Sequence, residues 1–236
     1  MRIDKFAAEQ TGISRSDAKE LIKRRKITVN GAPVTSADMH VDPEKDEIII
    51  GGKSILYRQY MYIMLNKPAG VVCATRDELS ETVLELIPPE LRRKGLFPAG
   101  RLDKDTEGLL LLTNDGELAH RLLSPKYHVE KRYFARVDGE LSAADTEAFA
   151  RGMTLGDGLE CLPAGLELLP GHACIVTLRE GKFHQVKRML AARGAPVLYL
   201  KRLSMGPLTL DDSLAAGAYR LLRAEEILAL YRACGL

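Results

Sequence analysis

The sequence predicts an α+β protein, with a small N-terminal module followed by a larger domain whose mixed, mainly antiparallel central sheet is flanked by helices. Three observations lead there. Short apolar runs of strand length and helical periodicities intermix without the strict alternation of a parallel doubly wound sheet. No glycine-rich loop joins a strand to a helix, so a nucleotide cofactor is not expected. At 236 residues, 46% hydrophobic and 28% charged, the chain is long enough for one sizeable core plus an appended module.

Residues 3–11 and 14–26 read as two short helices separated by Gly12. The second is opened by Ser14 as N-cap, with Asp17 three residues on, close to a capping box. Its apolar face carries Ala18, Leu21 and Ile22, while Arg15, Lys19, Lys23 and Arg24, continued by Arg25 and Lys26, form a positive face. Residues 27–29 followed by Asn30-Gly31 read as a strand and tight hairpin turn. Residues 48–50 are the last strand of this module and residues 51–59 a linker, which divides the chain into domains 1–58 and 59–236.

In the second domain, residues 60–65 are a strand entering the Asn66-Lys67-Pro68 turn, and residues 71–74 continue the sheet. A short helix starts at 82–86 and stops at Pro88-Pro89. Residues 109–113 are fully apolar, as a buried central strand should be. Helices are expected at 117–123, 142–151, 183–193 and 223–233, and strands at 131–137, 173–179 and 197–203.

No apolar stretch reaches the length of a membrane span and no signal-peptide core opens the chain, so cytoplasm is the default expectation. Cys73, Cys161, Cys174 and Cys234 are scattered without paired spacing, which indicates neither a zinc site nor a disulfide framework. The net charge of +2 is modest, but residues 1–60 hold 11 Lys and Arg against 9 Asp and Glu and so carry all of it. Solvated charged helix faces are common. A basic face concentrated on one short helix is also what meets phosphates.

The chemistry is concentrated in three segments. Gly100-Arg101-Leu102-Asp103 places a carboxylate, beside Arg101 and Lys104, directly before the apolar strand. A carboxylate so placed can be held ionised and aimed. Lys131-Arg132-Tyr133 follows, then Glu180-Gly181-Lys182-Phe183-His184-Gln185-Val186-Lys187-Arg188-Met189. In this wording and order, with the Met64-Leu65-Asn66-Lys67-Pro68-Ala69-Gly70 opening, the chain resembles the RNA pseudouridine synthases, in particular the small-subunit ribosomal RNA branch called RsuA. The N-terminal order of helix, helix, basic run and Thr28-Val29-Asn30-Gly31 hairpin resembles the alpha-L RNA-binding module shared with a small-subunit ribosomal protein.

The resemblance implies isomerisation of a uridine in RNA, with Asp103 as the essential carboxylate, Tyr133 stacking on the target base and a basic residue of the third motif paired with Asp103. Adjacent residues on a helix diverge by roughly 100°, so only one of Lys187 and Arg188 is expected at Asp103. The motif favours Lys187 and leaves Arg188 for the RNA backbone. Lys131 and Arg132 are expected at phosphates, and Arg101 either holds the loop or reaches the RNA. Asp105 and Thr106 are expected to bond local backbone groups, and His184, as a packed residue, is given no proton-transfer role. No metal or cofactor is expected.

The expected partner is ribosomal RNA, 16S rather than 23S on the resemblance of the Ser124-Pro125-Lys126-Tyr127-His128-Val129-Glu130 segment to the small-subunit branch, bound by a monomer. Three further readings stay open at this point: a 23S ribosomal RNA synthase with the same chemistry, a noncatalytic RNA-binding assembly factor, and a sugar hydrolase using Asp103 and Asp105 as paired carboxylates.

Overall fold

The computed structural model describes residues 1–236. It divides into two compact units, the first joining Met1–Met61 to Ile87–Leu96 and the second joining Tyr62–Leu86 to Phe97–Leu236. The first unit is therefore discontinuous in sequence. It takes in 87–96, a segment expected to belong to the second domain.

In the first unit, α1 (Ile3–Thr11) and α2 (Arg15–Lys23) pack on a small antiparallel sheet in the order β2-β1-β3-β4, formed by β1 (Ile27–Val29), β2 (Ala32–Pro33), β3 (Ile48–Ile50) and β4 (Lys53–Ser54). The capping box at α2 is complete. Ser14 Oγ accepts from the Asp17 amide at 3.1 Å, and Asp17 Oδ2 accepts from the Ser14 amide at 3.2 Å. The helix ends at Lys23, short of the expected residue 26. Arg25 enters the left-handed region at φ 53°, and the amides of Arg25 and Lys26 fold back onto the carbonyls of Ile22 and Leu21. This is a Schellman closure built without glycine. The basic run 24–26 thus leaves the helix as an exposed turn. Residues 53–54 pair with β3, so part of the expected linker is sheet.

The returning segment 87–96 is fixed to this unit by Arg93, which is buried. Its guanidinium donates to Arg58 O at 2.8 Å and to Gln10 O at 3.3 Å. Gln10 in turn bonds the backbone of Arg58 through both its amide nitrogen and its oxygen. Gly12, at φ 75°, lies so close to Pro89 O that an added Cβ would approach it to 2.6 Å.

The second unit is built on β5 (Tyr62–Lys67), β6 (Phe97–Pro98), β7 (Glu107–Thr113), β8 (Lys131–Val137), β9 (Met153–Thr154), β10 (Glu160–Cys161), β11 (Gly165–Leu169), β12 (Ala173–Leu178), β13 (Val197–Met205), β14 (Leu208–Thr209) and β15 (Tyr219–Leu221). Its helices are α3 (Gly116–Leu123), α4 (Ala143–Arg151), α5 (Gln185–Ala191) and α6 (Ala224–Ala233). The main sheet runs β11-β12-β8-β13-β7-β5-β15, antiparallel throughout except for the β13–β7 pair. At that parallel step Gly108 sits against Arg202, at φ 100°. A Cβ there would collide with the Arg202 backbone, so only glycine fits. The core between this sheet and α4 and α5 gathers Ala135, Val137, Phe149, Val176, Met189 and Leu190.

Two expected elements of this unit do not form. Residues 71–74 make only an isolated bridge from Val72 to Thr82, because both edges of β5 are already occupied, by β7 and by the unforeseen β15. Residues 82–86 are turns. The stretch is too short to sustain a helix, Glu85 Oε2 accepts the Thr82 amide, and Pro88 disfavours helical geometry just before it. Pro89 instead opens a one-turn 3-10 helix, Pro89–Leu91. The α5 helix is shorter than the expected 183–193, because His184 adopts a left-handed conformation at φ 50° and serves as its N-cap.

Candidate active site

Asp103 lies on the loop between β6 and β7, and this loop is held by the end of β5 and the residues that follow it. Lys67 is fully buried, and its ammonium donates to Pro68 O at 2.9 Å, Lys104 O at 3.2 Å and Thr106 O at 2.9 Å. The Gly70 amide donates to Lys104 O at 2.8 Å, the Leu102 amide to Cys73 Sγ at 3.3 Å, and the Thr106 amide to Asp103 O at 3.1 Å. The Asn66-Lys67-Pro68-Ala69-Gly70 turn, to which the sequence assigned no role, therefore anchors the backbone that follows Asp103, while Cys73 holds the residue before it. Burial pulls the Lys67 ammonium below its ordinary range, against the attraction of Cys73, Asp105 and Asp103.

Lys187, in the first turn of α5, reaches across to Asp103. Its Nζ stands 3.1 Å from Asp103 Oδ2 and 2.5 Å from Asp105 Oδ1. Burial lowers the Lys187 ammonium, but hydrogen bonds to Asp105 and Asp103 and their charges outweigh it and leave the group raised. Asp105 is held below the usual carboxylate range, first by its hydrogen bond from Lys187. Held as an anion, Asp105 does not suit the general-acid half of a paired-carboxylate hydrolase. Asp105 thus bonds a side chain across the cleft as well as its own backbone, whereas Thr106 Oγ1, also expected to bond the local backbone, is buried without a hydrogen-bond partner. The adjacent Arg188 turns away and pairs with Asp157.

The Asp103 side chain is 26% exposed and opens on a cleft of about 650 Å3 lined by Phe97, Leu123, Tyr133, Phe183, His184 and Arg202 among others. Tyr133 is buried to 8% exposure and shares this cleft, and a smaller one beside Lys187, with Asp103. His184 is exposed, where a packed residue was expected. Its Nε2 lies 3.4 Å from Asp103 Oδ1. Arg101 and Arg132 are exposed, Arg132 within 3.8 Å of Glu167. Arg15, Lys19, Lys23, Arg24, Arg25 and Lys26 are all exposed on the first unit. Beside Arg15, a separate cleft of that unit is lined by Lys5, Arg92 and Lys94, cations the sequence analysis did not single out.

Lys131 requires a correction. It is 3% exposed, and its ammonium donates to Leu122 O at 3.1 Å and Val129 O at 2.9 Å, so it ties α3 to β8 and meets no phosphate. The alternation of β8 carries the reason: Lys131, Tyr133, Ala135 and Val137 share the inward face, and Arg132 the outward one. Burial, with the Arg202 charge second, pushes the Lys131 ammonium down to about 8. Between pH 8 and the ordinary lysine range the unfolded chain then binds more protons than the folded one, so this group makes stability rise with pH. The expected outcome is that wild type gains about 1 kcal/mol relative to Lys131→Met between pH 8 and 9. Urea unfolding of both proteins at the two pH values checks it, and parallel pH profiles would contradict it.

Arg202, which the sequence analysis missed, is 2% exposed in the floor of the same cleft. Its Nε donates to Leu109 O at 2.7 Å, and its Nη2 has no hydrogen-bond partner.

Comparison with known proteins gives concordant results. Residues 61–192 match the family model described as RNA pseudouridylate synthase, and residues 1–48 match the S4 domain. The chain is 46% identical, over 96% of its length and 97% of the relative's, to the uncharacterized RNA pseudouridine synthase YtzG of Bacillus subtilis. It is 43% identical to ribosomal small subunit pseudouridine synthase A of Pasteurella multocida and 42% to that of Escherichia coli, in both cases over 96% of this chain and 98% of the relative. A crystal structure described as a pseudouridylate synthase superposes with a TM-score of 0.69 at 40% identity, covering 98% of this chain and 99% of the other.

Proposed function

Because the chain belongs to the RNA pseudouridine synthases, as an RsuA-type isomerase with an S4 domain ahead of its catalytic domain, we propose that it converts one uridine of 16S ribosomal RNA to pseudouridine with Asp103 as the catalytic carboxylate. The observation that carries this is the Asp103–Lys187 ion pair, at 3.1 Å, in a cleft shared with Tyr133. The isomerisation breaks the bond between uracil N1 and the ribose, forms one from C5 and transfers the C5 proton, with no net redox change. A carboxylate serves it by stabilising charge at the anomeric carbon, by attacking it, or by taking the neighbouring sugar proton. Each route needs an ionised oxygen fixed in place. Lys187 supplies the countercharge and the Lys67 anchor supplies the position.

The uridine reaches that oxygen only by leaving its stack, and the Tyr133 ring replaces the neighbour it loses. Arg101, Arg132 and Arg188 on the catalytic domain, with the basic residues of α2 and the turn after it, hold the RNA backbone without reading sequence. The small-subunit assignment is supported by relatives carrying that description at over 40% identity along nearly the whole chain. The protein acts as a monomer in the cytoplasm, where ribosomal RNA is assembled into particles.

Primer-extension mapping of pseudouridine in both large ribosomal RNAs tests the substrate. A deletion strain is expected to lack one pseudouridine in 16S RNA and to regain it on expression of the wild-type chain. A missing site in 23S RNA instead would overturn the 16S assignment and leave the chemistry intact.

A further inference from the structure

Phe183 is 73% exposed, although it lines the catalytic cleft. Its ring stacks on the His184 imidazole with centroids 3.8 Å apart and planes 19° from parallel, and His184 in turn lies 3.4 Å from Asp103. The left-handed backbone of His184 at φ 50° turns this pair out of the helix that follows. An apolar ring gains nothing from water, and here it is held flat by its neighbour. Exposed Arg101 and buried Arg202 line the same cleft and bring positive charge beside it, while Lys182, also in its lining, is ion-paired with Glu180 at 3.2 Å.

A planar apolar surface bordered by cations is suited to a nucleobase on a phosphate backbone. We propose that Phe183 is a positioning residue that stacks on a base of the substrate RNA next to the uridine presented to Asp103. Everting that uridine strips its neighbour of one stacking partner, and the Phe183 ring restores it. The Tyr133 ring, buried deeper in the cleft, attends the target base itself, so the two aromatics serve different nucleotides. A Phe183–His184 pair fixed against Asp103 also sets the distance between the two bases, so the identity of the flanking base influences which uridine is accepted.

The inference rests on the proposed synthase reading, and the test keeps the two separate. Single-turnover pseudouridine formation is measured with the full chain on a short transcript around the mapped uridine, and on copies with an abasic site at one flanking position. Phe183→Ala is expected to lose about ten- to a hundred-fold in kcat/KM on the intact transcript, the range that loss of one base–aromatic stack corresponds to. Phe183→Trp is expected to retain activity. At one flanking position the abasic site should slow wild type while leaving Phe183→Ala unchanged, a non-additivity that a purely structural role does not produce. If Phe183→Ala matches wild type, or if its defect simply adds to that of every abasic site, the stacking role is overturned. If wild type itself makes no pseudouridine in either ribosomal RNA, it is the synthase reading that falls.

Discussion

Asp103→Asn is expected to abolish pseudouridine formation, by about 10^4-fold or more, while leaving the fold intact. Asparagine has nearly the same shape, and the contacts that hold the loop do not use the Asp103 side chain. They run from Lys67, Gly70 and Cys73 to the backbone of residues 102, 104 and 106. What the substitution removes is the charge. Lys187 then retains only Asp105, at 2.5 Å, as a hydrogen-bonded carboxylate, and Asp105 is too exposed, at 73%, to take over a role in the cleft. Single-turnover tritium release from C5 of labelled uridine measures the activity, and urea unfolding measures the fold. Activity above about a hundredth of wild type in a variant of normal stability would show that the carboxylate is not the reacting group.

Lys67→Ala is expected to cost about 3 kcal/mol of unfolding free energy and most of the activity. Its ammonium satisfies three carbonyls inside a fully buried site, and truncation leaves all three without that donor together with a cavity. Two of those carbonyls, of Lys104 and Thr106, lie within three residues after Asp103, so the loop loosens where the carboxylate must be held. A fall in kcat beyond what the unfolded fraction explains is the signature of this coupling. Arginine should not rescue it, since a planar guanidinium does not fit a pocket shaped for a compact ammonium. A loss below about 1 kcal/mol would mean that water replaces the lysine at no cost, and the anchoring account would fail.

The parts of this molecule that were legible in the sequence are local. The run 109–113 forms the last five residues of β7, and Ser14 with Asp17 forms the capping box. The segments bearing Asp103, Tyr133 and Lys187 enter one cleft, as their order in the three motifs implied. Lys131 was misread although the signal was present. Strand alternation sets it on the face of Tyr133, so a buried tyrosine entails a buried lysine. Arg202 left no local signal, because its burial arises from β13 lying parallel to β7, a pairing that joins Arg202 to Gly108 across a long stretch of chain. Likewise nothing near residues 219–221 announces a strand. They pair only because β5 offers a free edge.

The discontinuity of the first unit has a consequence for the order in which the molecule is made. A nascent chain stalled at residue 61 lacks Arg93, so the Gln10 carbonyl is without that donor and the Arg58 carbonyl keeps only the bond from the Gln10 side-chain amide. The N-terminal module is therefore completed only after β5, the first strand of its successor, has emerged. Its maturation is interleaved with that of the enzyme body, and severing the chain near residue 60 would yield an unfinished module, not a transplantable one.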